Sequence, residues 1–185
     1  MVKIETAESA PAIAPVYFDS ALIAKFYVNE PGRAAVRAVA ERAGIVVTSG
    51  IAAAEVSAAF HRKLREGAVD QGVFKALQGQ FQHDLGAGLW RLIAPTEALL
   101  EEVSALFLRL DKSVFLRALD GLHLITAKAE GFQLIYSNDR HLLNASASVG
   151  LEGVNPIPEY RRDISSGRPL QIRKKTPRTK TTPLK

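Results

Sequence analysis

Apolar and polar positions alternate along the chain in a pattern that predicts short strands separated by helices. VYFD (16–19) is a short strand-like run that ends on an acid, and SALIAKFY follows with helical character. A turn at Asn29-Glu30-Pro31-Gly32 leads into the amphipathic helix RAAVRAVAERAG, closed by Gly44. IVV (45–47) reads as the second strand, and Thr48 and Ser49 offer N-caps for an Ala-rich helix through Arg65, stopped by Gly67. A further helix is expected over about 69–85, and LWRLI (89–93) reads as the third strand. Pro95-Thr96 opens a helix to about Leu110, and Ser113 precedes another to about Glu130, stopped by Gly131. QLIYS (133–137) is the fourth strand, NDRHLLNASASVG holds a short last helix, and 151–154 is a weak fifth strand.

This β-α-α-β-α-α-β-α-α-β-α-β order implies an α/β fold: a central parallel sheet of four to five strands with helices on both faces, a three-layer α/β/α sandwich. In such sheets a site lies beyond the carboxyl ends of the strands. At 185 residues, 47% of them hydrophobic, the chain can bury a full core. The expected organisation is an N-terminal extension over 1–14, one domain over 15–158, and a basic tail over 159–185, expected to be disordered.

Charge sharpens that division. The net charge is +5, yet residues 161–185 carry nine basic residues and one acid, which leaves the rest of the chain slightly acidic. The tail is thus a candidate grip for RNA phosphates, through Arg173, Lys174 and Lys175 above all, and equally a solvated, solubilising segment. There is no cysteine, which excludes disulfides, thiol nucleophiles, zinc fingers and iron–sulfur clusters and fits a cytoplasmic setting. No stretch reads as a signal peptide or a membrane span, so no membrane association is expected. No G-x-S-x-G elbow, P-loop or G-x-G-x-x-G occurs, and His61, His83, His123 and His141 do not form a metal cluster by spacing.

The informative residues are acids where apolar residues should stand. Glu55 sits in GIAAAEVSAAF, with Ile51, Ala52, Ala58 and Ala59 as its helical neighbours; Asp120 sits in FLRALDGLHLITA. Asp19 ends the first strand and Asp139 follows the fourth. Each has an ordinary reading. Asp19 and Asp139 stand where helix N-caps belong, Glu55 suits pairing with a nearby arginine or lysine, and Asp120 before Gly121 suits a helix irregularity. As a set they are harder to dismiss, because a parallel sheet can bring all four to one edge. At ~4 Å and an effective dielectric of ~20, each such pair repels by about 4 kcal/mol. A cluster of that kind calls for divalent cations, and all-oxygen ligands favour Mg²⁺ or Mn²⁺.

VYFDSALIAKFY, TSGIAAAEVSAAF, LRALDGLHLITAKAEG and LIYSNDRHLL resemble, in order, the four motifs of the PIN-domain family. The third is the sharpest, and is close to that of the VapC-type toxin ribonucleases of type II toxin–antitoxin systems. The resemblance spans about 15–158 and implies a PIN-like, Rossmannoid version of the sandwich. It implies a Mg²⁺- or Mn²⁺-dependent endoribonuclease, a hydrolase that cuts single-stranded RNA to leave a 5′-phosphate and a 3′-hydroxyl. Carried over, Asp19, Glu55, Asp120 and Asp139 are the catalytic and metal-binding quartet, with Asp19 and Asp120 the leading ligands of one ion. Ser137 and Ser20 match supporting polar positions. The residues before Val16 and after Tyr160 depart from the family pattern. The family further implies a cognate antitoxin and a homodimer formed through helices; the face of Ala98, Leu99, Val103, Leu106 and Leu110 suits that dimer and equally suits the core. The alternatives are a PIN-type RNA-processing nuclease without an antitoxin, and a non-catalytic RNA-binding module that uses the tail.

Overall fold

The structure is a computed structural model, and it describes residues 14–157. The extension (all but Ala14), the basic tail and Arg173, Lys174 and Lys175 lie outside the described residues. The elements run β1 (Val16–Tyr17), α1 (Ser20–Tyr27), α2 (Arg33–Ala43), β2 (Val46–Ser49), α3 (Ala52–Arg65), α4 (Gln71–Gly86), β3 (Trp90–Ile93), α5 (Glu97–Arg109), α6 (Ala118–Ala129), β4 (Leu134–Tyr136), α7 (Arg140–Ala145), a 3-10 turn (Ser146–Val149) and β5 (Glu152–Val154).

All strand pairs are parallel. Tyr17 is in register with Val47, Val46 with Trp90, and Ile135 with Gly153. A bridge between Phe18 and Tyr136 joins β1 to β4, supported by the Asp19 N–H donating to the Tyr136 carbonyl at 3.1 Å. The sheet order is therefore β3-β2-β1-β4-β5. The chain builds outward in one direction from β1, then crosses over and builds in the other. β1 and β4 thus flank the topological switch point, where crevices form at the carboxyl ends of strands.

Both sheet faces are covered, as the short apolar strands require. Side chains alternate along each strand. Phe18 and Val46 join Leu22, Val36, Phe60, Phe81 and Trp90 in one core, under α1–α4. Tyr17 and Val47 join Leu106, Leu122, Leu124, Ile135 and Leu142 in the other, under α5–α7. The first core closes over a polar chain: Trp90 Nε1 donates to Tyr27 Oη at 2.6 Å, and that hydroxyl donates to Asp84 at 2.8 Å. Among the described residues no helix is long and apolar enough to cross a membrane.

Two local expectations are corrected. Thr48 and Ser49 do not cap α3; they are the last residues of β2, fully buried, and the helix starts after Ile51 without a side-chain cap. Glu55 consequently falls in the first turn of α3. The helix expected after Ser113 begins only at Ala118, because Asp111 folds the preceding residues into a turn by accepting from the Ser113 N–H and hydroxyl. On α5, Val103 and Leu106 are buried and Leu99 and Leu110 pack against the same core, so this face serves the interior. Gly131, at φ 79°, turns the chain out of α6 into β4, a conformation that glycine adopts without strain.

Candidate active site

Four acids from four different elements line one cleft of about 570 Å³: Asp19, Glu55, Asp120 and Asp139. Asp19 and Asp139 reach it from the ends of β1 and β4, on either side of the switch point. Both also cap helices. Asp19 Oδ1 accepts from the Leu22 N–H at 2.9 Å, and Asp139 Oδ1 accepts from the His141 N–H at 2.7 Å. The capping reading therefore holds for both residues, and both also line the cleft. In each residue the cap engages one of the two carboxylate oxygens.

Ser137 ties the two strand ends together. It is fully buried, donates its hydroxyl to Asp19 Oδ2, and accepts from the Asp139 N–H at 2.9 Å. Asp19 is itself buried. Burial pushes its carboxyl up to about 6; Ser137, His123 and the Leu22 N–H act against that rise, and Asp120 adds to it.

Asp120 projects from the first turn of α6. Its carboxyl is raised by burial and then by Asp139, opposed by Arg117 and His123, with Glu55 adding to the rise. Asp120 Oδ2 is buried and has no hydrogen-bond partner. Its nearest counter-charge is Arg117 Nη1 at 3.9 Å, which also stands 3.3 Å from Asp139 Oδ2. One guanidinium thus spans two of the four carboxylates. Arg117 was not anticipated from sequence; the available signal was its position three residues before Asp120, one turn away on the same helix face.

Glu55 is held differently. His123 is fully buried on α6 and its Nε2 lies 3.0 Å from Glu55 Oε2, while its Nδ1 lies 3.1 Å from Tyr17 Oη. A carboxylate partner requires the Nε2 proton to be present. Burial alone would raise the Glu55 carboxyl, but the hydrogen bond and charge of His123 outweigh it and bring it below its usual value, with a smaller contribution from Ser20. His123 therefore orients Glu55. Ser20 follows Asp19 into the cleft wall.

The donor set is all oxygen and anionic, which suits a hard divalent cation, and the unpartnered Asp120 Oδ2 is an oxygen for which the protein itself supplies no hydrogen bond. The side chains are not yet gathered as ligands. Among the described residues no three His, Asp or Glu are grouped so as to hold an ion. The partners already named account for this: Leu22 and Ser137 occupy both Asp19 oxygens, His123 holds Glu55, and Arg117 draws on Asp139.

The sequence matches the PIN domain family over residues 16–147. No curated protein sequence matches. Among solved structures, the chain is similar to the crystal structure of VapC20 from Mycobacterium tuberculosis, described as a toxin that cleaves the sarcin-ricin loop. The TM-score is 0.55 at 15% identity, over 70% of this chain and 94% of that one. At that identity the likeness establishes a shared fold.

Proposed function

The chain belongs to the PIN-domain family, and from that premise we propose that it is a Mg²⁺- or Mn²⁺-dependent endoribonuclease acting on single-stranded RNA, the toxin of a toxin–antitoxin pair. The observation that carries the reading is the convergence of Asp19, Glu55, Asp120 and Asp139 on one cleft at the switch point of the sheet, with Asp120 Oδ2 buried and unpartnered. Buried carboxylate oxygens are usually hydrogen-bonded, so one left without a hydrogen bond beside three further acids suits a cation.

In this account Asp19 and Asp120 hold the ion, with Asp139 and Glu55 completing its surroundings directly or through water. When bound, the cation supplies an acidified water and a counter-charge for the phosphate oxygens. Ser137 keeps Asp19 and Asp139 in step, and His123 keeps Glu55 ionised and aimed. Arg117 extends from the start of α6 with its side chain 59% exposed, so it is free to leave the carboxylates for solvent or for a phosphate.

The same electrostatics support an antitoxin partner. Arg117 already demonstrates that a guanidinium is accommodated beside Asp120 and Asp139, and a basic residue of a partner would be stabilised there in the same way. The test is cleavage of a labelled single-stranded RNA with Mg²⁺ or Mn²⁺ against EDTA, beside Asp120→Asn. Cleavage that requires metal and is lost in the variant is expected. For the toxin assignment, the product of a small neighbouring reading frame is expected to bind the protein and abolish that cleavage.

A further inference from the structure

The acid cleft carries the opposite charge along α3. Beyond Glu55, the helix lines the cleft with Ala58, Ala59, His61, Arg62 and Arg65. Glu55, Ala58, Ala59, Arg62 and Arg65 recur at three and four residues and share a helix face. At ~1.5 Å per residue, Arg62 lies about 10 Å and Arg65 about 15 Å along the axis from Glu55. Neither arginine is near enough to neutralise the carboxylates at the far end. Between the two charged ends Ala58 and Ala59 keep the helix surface low, so a chain can lie along it.

Arg62 and Arg65 are exposed, and among the described residues neither is paired with an acid. Their neighbour Lys63 differs: it is not part of the cleft lining and pairs with Glu30 at 2.6 Å. The helix dipole favours basic residues in this last turn, but it does not require them to face the acid cleft. A polyanion approaching four carboxylates is repelled, so it needs cations beside the acids. A row of guanidiniums on the same wall provides them, and guanidiniums bind phosphate in a bidentate manner.

We propose that Arg62 and Arg65 hold backbone phosphates of a single-stranded nucleic acid that runs along α3 toward the carboxylates, flanking the phosphate to be cut. This rests on the nuclease reading and adds to it a binding track and its direction. The track reads phosphates, which carry no sequence information, so it contributes affinity and register rather than selectivity among bases.

The experiment compares the full chain with Arg62→Ala/Arg65→Ala, and with Arg42→Ala/Arg109→Ala as a control that removes equal charge outside the cleft. Binding of a labelled single-stranded RNA is measured by anisotropy across salt concentrations in the uncut Asp120→Asn background, and KM and kcat are measured without that background change. Loss of two phosphate contacts is expected to flatten the slope of log affinity against log salt by about 1.4, at ~0.7 per contact. KM is expected to rise with kcat retained, and the control to match the parent. An unchanged slope and KM in the cleft variant, or an equal change in the control, would overturn the track while leaving the nuclease intact. A parent chain that neither binds nor cuts RNA would remove the nuclease reading, and the track with it.

Discussion

His123 Nε2 stands 3.0 Å from Glu55 Oε2, so a fully buried histidine on α6 holds an acid that belongs to α3. The bond crosses 68 residues of sequence and joins two helices on opposite sides of the cleft. It makes His123 a positioning residue, because it acts on the site through Glu55.

Its removal has a specific signature. His123→Leu is expected to weaken Mn²⁺ binding about 10- to 100-fold, the usual cost of losing a group that orients a metal-binding side chain. His123→Gln keeps an N–H donor and is expected to recover part of that loss. Titration calorimetry with both variants checks this, with thermal melts to separate the metal effect from general instability. Equal metal affinities in the two variants would assign His123 to the core alone.

Asp19 links the site to stability. Its carboxyl is about 6 in the folded chain against 3.8 when free. The folded state therefore binds the proton more tightly, and the metal-free chain is stabilised at low pH. That stability is lost as pH rises from about 4 to about 6, by about 3 kcal/mol at ~1.36 kcal/mol per pH unit. Asp19→Asn retains the cap to Leu22 and carries no charge. In EDTA at pH 7 it is expected to melt above the parent and to lose this pH slope. Melting curves in EDTA between pH 4.5 and 7.5 decide the matter.

The nuclease reading makes Arg117 a competitor of the ion. Arg117→Ala removes the positive charge beside Asp120 and Asp139. As an exposed pair contributes at most about 1 kcal/mol, the variant is expected to bind Mn²⁺ up to ~5-fold more tightly in the absence of RNA. An unaltered or weakened Mn²⁺ affinity by calorimetry would show that Arg117 does not oppose the cation.

Away from the site, Tyr27→Phe strands the Trp90 N–H and removes the donor to Asp84. The expected cost is about 1–3 kcal/mol in urea denaturation, the penalty for a buried donor without a partner.

The four acids were legible in sequence because each breaks an apolar pattern, and the sheet was legible because its strands are short, apolar and separated by helices. What escaped was pairing over distance. Thr48 and Ser49 before a helix look the same as caps whether or not a neighbouring strand claims them, and β3 does claim them. Spacing put His123 one turn from Asp120, whereas the fold brings its ring to Glu55 of α3. The i,i+3 relation of Arg117 to Asp120 was visible, but its second partner, Asp139, lies 22 residues away and depends on where α7 starts. The cleft-facing row on α3 was hidden for the same reason: periodicity defines a face, and only the fold says what that face looks upon.

We propose that the four-acid cleft cuts RNA with the help of a divalent cation. Its most direct test is cleavage of a labelled single-stranded RNA by the purified chain with Mn²⁺, with EDTA, and with Asp120→Asn. Cleavage with Mn²⁺ that disappears both in EDTA and in the variant is the predicted result. Cleavage that continues undiminished in a folded Asp120→Asn protein would contradict the claim.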